Sequence, residues 1–264
     1  MRAGANGGEA EGGQSPLIST RFLTLVTLII LCLAAASAAI NWLGQSYGAR
    51  LSLAGHSEST EILDIIIGRD RLALSANTIR FEQQRQPGIT ERVDLYLTWP
   101  NLSGYSTVQR RRFDDLGMAQ SLIFLQLSQS TMSRDMSGRV EPIYQHLLEA
   151  GSEQGPNGLV TYRFRSGTGY DAESLLIGKL PDGETYAIRC LLPETPDDAG
   201  SSDCQRDIHV GQDLTVLYRF SSQLLGDWQA IDTAIRQYVE SRDRPGTPAA
   251  SLKISPKAST DHSS

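Results

Sequence analysis

Apolar positions along this chain follow three patterns, and each predicts a different kind of element. The first is an unbroken run, FLTLVTLIILCLAAASAAINWL at residues 22–43, with no charge between Arg21 and Arg50. At about 1.5 Å per residue, such a run is long enough to cross the roughly 30 Å hydrocarbon core of a bilayer as a helix. The second pattern has a period of two. Val93, Leu95, Leu97 and Trp99 alternate with Asp94, Tyr96 and Thr98, and the same holds around Val160, Tyr162 and Phe164 and around Tyr186, Ile188 and Cys190. Alternation of this kind predicts half-buried strands. Apolar or β-branched runs at 62–67, 72–81, 121–127, 174–180, 204–210 and 214–220 complete the strand set, and Pro181-Asp182-Gly183 and Gly211-Gln212 supply turns between them. The third pattern has helical spacing. Leu224, Trp228, Ile231, Ile235 and Tyr238 share one face, and Asp227, Asp232, Arg236 and Glu240 are expected on the solvent side. Arg242 and Arg244 suit the negative end of that helix, and Pro245-Gly246 stops it. Pro142 and Gly151 bracket a short helix carrying Ile143, Leu147 and Leu148.

These elements predict an α+β protein. A transmembrane helix near the N-terminus is followed by a mainly antiparallel β-sheet domain, packed by a C-terminal amphipathic helix. The expected divisions are a disordered cytoplasmic head at 1–21, a transmembrane signal anchor at 22–43 and a tether at 44–60. An α+β domain at 61–244 and a disordered tail at 245–264 follow. Arg2 and Arg21 precede the apolar run and Arg50 alone follows it closely, a charge bias that places the N-terminus in the cytoplasm and the domain in the periplasm. A second reading takes Ala36-Ser37-Ala38 as a small-residue cleavage site, which would release a free periplasmic protein. The bilayer itself is the first expected partner.

Charge narrows the function classes. The chain of 264 residues carries a formal net charge of −6, and the part beyond Arg50 is more acidic still. That balance does not fit general nucleic-acid binding, which needs a concentrated basic face. There are three cysteines. Cys32 lies inside the apolar run, and Cys190 and Cys204 flank a polar, acidic loop. In an oxidising compartment these two most simply form a disulfide closing a loop of about 15 residues, for which loop-closure entropy gives about 3 kcal/mol.

Motifs with catalytic specificity are absent: there is no G-x-S-x-G, no phosphate-binding P-loop, no H-E-x-x-H and no C-x-x-C. No catalytic, cofactor or metal residues are therefore assigned. Of the four histidines, His56 falls in the tether, His262 in the tail and His146 on the short helix. His209 shares a strand face with Asp207, since residues two apart point the same way. The pair could serve a periplasmic hydrolase with an unidentified nucleophile, or simply be solvated surface. Asp197, Asp198 and Asp203 lack the alternating ligand pattern of a calcium loop. The candidate interaction surface is Trp99, Leu102 and Tyr105 with Arg110, Arg111 and Arg112, residue types enriched in binding hot spots. The alternative is that the aromatics are core and the arginines pair with Asp114 and Asp115.

The stretches WPNLSGYS (99–106), CQRDIHVGQDLTVLYRF (204–220) and LLGDWQAID (224–232) resemble uncharacterised single-pass "transmembrane anchored" proteins of Gram-negative, rhizobial-type bacteria. The resemblance implies compartment and architecture and carries no functional residues. The expected function is a binding or scaffolding module of the cell envelope with a protein partner and no cofactor. The alternatives are the Asp207/His209 hydrolase and, if the leader is cleaved, a soluble small-molecule binder.

Overall fold

The computed structural model describes residues 20–52, 55–195, 199–200 and 203–244. It divides the chain into two compact units, Met1–Ala54 and Gly55–Ser264. Residues 1–19 of the expected head, residues 196–198 and 201–202 of the acidic loop, and the tail with its Pro245-Gly246 stop lie outside the described residues.

In the first unit, helix α1 spans Thr20–Ser52. Among the described residues, no helix is long and apolar enough to cross a membrane. The expectation of a transmembrane helix at 22–43 is corrected accordingly. The backbone helix also continues through 44–52, where a tether was expected. The single-pass inner-membrane placement that rested on this span is unsupported.

The second unit is built on two sheets. Strands β1 (Ile62–Ile67) and β2 (Asp70–Ser75) form a hairpin, and β3 (Gly88–Ile89) runs parallel to β1. Gly68 turns the hairpin at φ +58°, a conformation that favours glycine. Ser75, Asn77 and Thr78 end β2 earlier than its apolar run suggests. The Ser75 hydroxyl donates to Asn77 Oδ1 and the Thr78 hydroxyl to the Ser75 carbonyl, competing with strand pairing.

The larger sheet contains β4 (Arg92–Thr98), β5 (Leu122–Gln129), β6 (Glu153–Gln154), β7 (Val160–Arg163), β8 (Ser174–Lys179), β9 (Thr185–Cys190), β10 (Cys204–Val210) and β11 (Leu214–Phe220). Their order is β4-β5-β11-β10-β9-β8-β7-β6, and every neighbouring pair is antiparallel. Helix α2 (Arg110–Asp114) is one turn within a stretch that reads as irregular, and the short helix expected after Pro142 is a 3-10 turn, Tyr144–Leu147.

Helix α3 (Trp228–Glu240) contributes Trp228, Ile231, Ile235 and Val239 to one core. That core also holds Val93, Leu95, Leu97, Leu125, Leu127, Val216 and Phe220 from one face of the large sheet and the inward residues of β1 and β2. Residues 242–244 then run beside β2, with Ala73 N donating to Arg242 O and Arg244 N to Arg71 O. One polar position departs from the helical pattern. Asp232, expected in solvent, is buried, because Arg206 occupies an inward position of β10 and meets it.

The sheet has a seam. Strands β9 and β10 pair only at Cys204 with Cys190 and at Gln205 with Arg189. The disulfide Cys190–Cys204 closes this junction, buried in the core, as the cysteine spacing predicts. Beyond it the segment around the 3-10 turn Ser137–Arg139 enters between the strands: Met136 N donates to Asp207 O, and Arg206 Nη1 reaches Ala187 O at 2.9 Å and Ser137 Oγ at 2.5 Å.

Candidate functional site

Strand alternation sends every second side chain of the large sheet away from the core. Register then sets those side chains side by side across the strands. Ser128 pairs with Thr215, and Thr215 with His209; Gln126 pairs with Leu217, and Leu217 with Asp207; Phe124 pairs with Arg219, and Arg219 with Gln205. This second face is the floor of the site.

The segment 131–144 forms a wall over the floor. Met136 and Tyr144 pack there with Phe164, Leu175 and Ala187 in a second apolar cluster, which Tyr170 joins at 4.9 Å from the Phe164 ring centre. Between wall and floor lies a cleft of about 360 Å³, lined by Gln126, Ser128, Thr215 and Leu217 below and by Met132, Met136, Ile143, Tyr144 and Tyr170 on the sides. This volume lies at the small end of ligand sites. Met132 and Ile143 stand exposed at the rim.

Two ion pairs frame the cleft. Arg139 Nη2 donates to Asp207 Oδ1, both side chains being largely buried. Burial opposes the Arg139 charge, but the hydrogen bond and charge of Asp207 outweigh it and raise the guanidinium pKa. On the other side Arg189 Nη1 lies 3.2 Å from Glu173 Oε2, and its guanidinium stacks on Tyr170 at 4.6 Å. Gln205 Nε2 also donates to Glu173 at 3.5 Å. In contrast, the floor side chains of Gln126, Ser128 and Thr215 have no hydrogen-bond partner among the described residues. The cleft therefore offers unused donors and acceptors between charges that are already neutralised.

Asp207 and His209 lie together on this floor, as the strand pattern predicts, and they engage different groups. Asp207 takes Arg139, whereas His209 Nε2 lies 3.3 Å from Ser130 Oγ, whose hydroxyl also reaches Met132 O at 3.1 Å.

The residues 99–112 lie elsewhere in the unit. Tyr105 is fully buried, and Trp99 and Leu102 are partly buried against the main core. Trp99 Nε1 donates to Asp227 Oδ2 at 3.3 Å. Arg110 and Arg111 pair with Asp114 and Asp115 along α2, and Arg112 donates to Trp99 O. His56, assigned to the tether by sequence, fills the space beside them. It stacks on Tyr105 at 4.3 Å, with Nδ1 3.1 Å from Tyr96 Oη and Nε2 2.9 Å from Asp114 Oδ1. Burial pushes the Tyr96 phenol up to about 12, so it stays protonated and can donate to the imidazole. This cluster packs over the outward side chain of Tyr96 on β4.

Sequence reading missed the cleft residues Gln126, Arg139, Tyr144 and Tyr170. For Gln126 the signal was available: it breaks an apolar run at an outward position of β5. The 131–144 wall carries no periodicity that would have placed it over the sheet.

No protein-family model and no curated protein matches the chain. Two solved structures are similar to it. An immunity protein of the Stenotrophomonas maltophilia type IV secretion system shares 16% identity over 72% of this chain and 96% of its own, with a TM-score of 0.48. The Neisseria meningitidis iron-regulated outer membrane lipoprotein FrpD shares 11% identity over 71% and 94%, with a TM-score of 0.43. Likeness at this level carries no activity to this chain.

Proposed function

We propose that the second unit is a binding module of the cell envelope, with the cleft on the outward face of the large sheet as its site. The observation that carries this reading is the polar floor of Gln126, Ser128 and Thr215, half-buried and without hydrogen-bond partners among the described residues, beneath an apolar wall with an exposed rim. Placed polar groups inside a largely apolar concavity are what a recognition site needs. The buried disulfide supports an oxidising compartment such as the periplasm.

The hydrolase alternative gains a nucleophile candidate in Ser130, beside His209. It lacks the third member, because Asp207 is committed to Arg139 rather than to the imidazole. The binding reading therefore stands ahead of it.

The test places a photo-crosslinking residue at Met132 in the full chain, expressed in its native cells. A discrete adduct that disappears when Gln126→Trp fills the cleft is the expected result. An adduct pattern unchanged by Gln126→Trp would remove the cleft from the proposal. Labelling of Val108→Cys, an exposed position, by a membrane-impermeant thiol reagent in cells with a permeabilised outer membrane and an intact inner membrane, in a Cys32→Ser background, tests the compartment.

A further inference from the structure

Building on that binding reading, we infer that the cleft takes a neutral, hydroxyl-rich ligand, a short saccharide segment. Its charges argue first. Arg139 is held by Asp207 and Arg189 by Glu173, so the two pairs leave the cleft without a net charge that would favour an anionic or a cationic ligand. A neutral ligand leaves both pairs intact and can hydrogen-bond to their outer edges.

The floor argues next. Gln126 offers an amide that both donates and accepts, and Ser128 and Thr215 face each other across β5 and β11 with free hydroxyls. Closely spaced groups that donate and accept match the closely spaced hydroxyls of a sugar ring. The wall supplies the complementary surface: Met132 and Ile143, exposed at the rim, offer apolar contact on which the C–H side of a ring can rest. A neutral peptide has the same balance of charge, but peptides are commonly recognised by pairing their backbone to a sheet edge. This cleft presents a sheet face, where side chains alone are available.

Saturation-transfer NMR on the full chain tests the inference, with chitobiose and cellobiose as probes and digalacturonic acid and acetyl-tetraserine amide as comparisons. Transfer to the ring protons of a neutral disaccharide at millimolar concentration is expected, and Gln126→Ala with Ser128→Ala should weaken it roughly tenfold, as the loss of two hydrogen bonds implies. Both residues point away from the core, so an unchanged melting temperature verifies that the variant is folded. No transfer from either neutral disaccharide overturns the inference, and so does tighter binding of the charged sugar or of the peptide. A cleft-dependent crosslink at residue 132 without any saccharide signal overturns the saccharide and leaves the binding module standing. Loss of both signals overturns the two together.

Discussion

Arg206 and Asp232 form an ion pair inside the protein, with Arg206 Nε 2.9 Å from Asp232 Oδ1 and the two side chains 2% and 3% exposed. Both groups have further partners. Arg206 donates to Ala187 O and Ser137 Oγ and lies over the Tyr186 ring at 4.5 Å, and the Tyr218 hydroxyl donates to Asp232 at 2.7 Å. One buried pair thus connects β10, β9, β11, α3 and the wall of the cleft. Burial pushes the Tyr218 phenol well above its usual range, so it serves the pair as a neutral donor.

Removing one partner leaves the other charge buried and unpaired. Asp232→Ala should therefore lower unfolding stability by about 3–5 kcal/mol. Replacing both residues, Arg206→Met with Asp232→Leu, should cost much less, because no charge is then stranded. Urea denaturation of the three proteins decides this. A double variant as unstable as the single one would show that the pair stabilises by more than avoiding an orphan charge.

The same pair shows where sequence reading stops. The apolar stripe of α3 is legible from Trp228, Ile231 and Ile235, and the period of β10 from Ile208 and Val210. Neither pattern announces that Arg206 and Asp232 are inside, since each taken alone resembles a solvated charge; only pairing β10 beneath α3 brings them together. The cleft was illegible for a related reason. Its floor is drawn from outward positions on β5, β11 and β10, strands distant in sequence, and its wall is an irregular segment held by Met136 and Tyr144. The disulfide, in contrast, needed only two cysteines flanking a polar loop.

Cys190 and Cys204 close the point at which β9 and β10 part. Replacing both by Ala removes the cross-link from the unfolded chain as well as from the native sheet. The loop is close to 15 residues, for which a loss of about 3 kcal/mol is expected. Because the bond is buried, it should resist dithiothreitol under native conditions and reduce readily in denaturant. Timed alkylation followed by mass spectrometry reads both rates; equal rates in the two conditions would contradict the burial.

Asp243 provides a pH signature. It lies beside β2, and burial, followed by the nearby charge of Asp70, raises its carboxyl pKa, against a backbone hydrogen bond from Arg71. A carboxyl that binds its proton more tightly when folded stabilises the native state only below the unfolded value of about 3.9. As pH rises through the raised native value, that advantage is lost. Asp243→Asn should consequently match the parent below about pH 3 and exceed it in melting temperature near neutrality. A variant less stable than the parent at neutral pH would mean that the bond from Arg71 outweighs the burial and the repulsion.

Arg139 and His209 separate the two functional readings of the cleft. In the binding reading Arg139 matters structurally: it neutralises Asp207 and fixes the 3-10 turn Ser137–Arg139 against the sheet. Arg139→Ala leaves a largely buried carboxylate without its cation, and a loss of about 2 kcal/mol is expected with weaker capture of any cleft ligand. Among the described residues the His209 ring hydrogen-bonds to Ser130 alone, and its replacement by Ala should change stability by less than about 0.5 kcal/mol. If the domain were a hydrolase relying on Ser130 and His209, His209→Ala would abolish turnover while Arg139→Ala left a residue. The expected result is the reverse order of harm: capture of the ligand survives His209→Ala and fails in Arg139→Ala, measured by crosslinking yield at residue 132 alongside the urea midpoint of each variant.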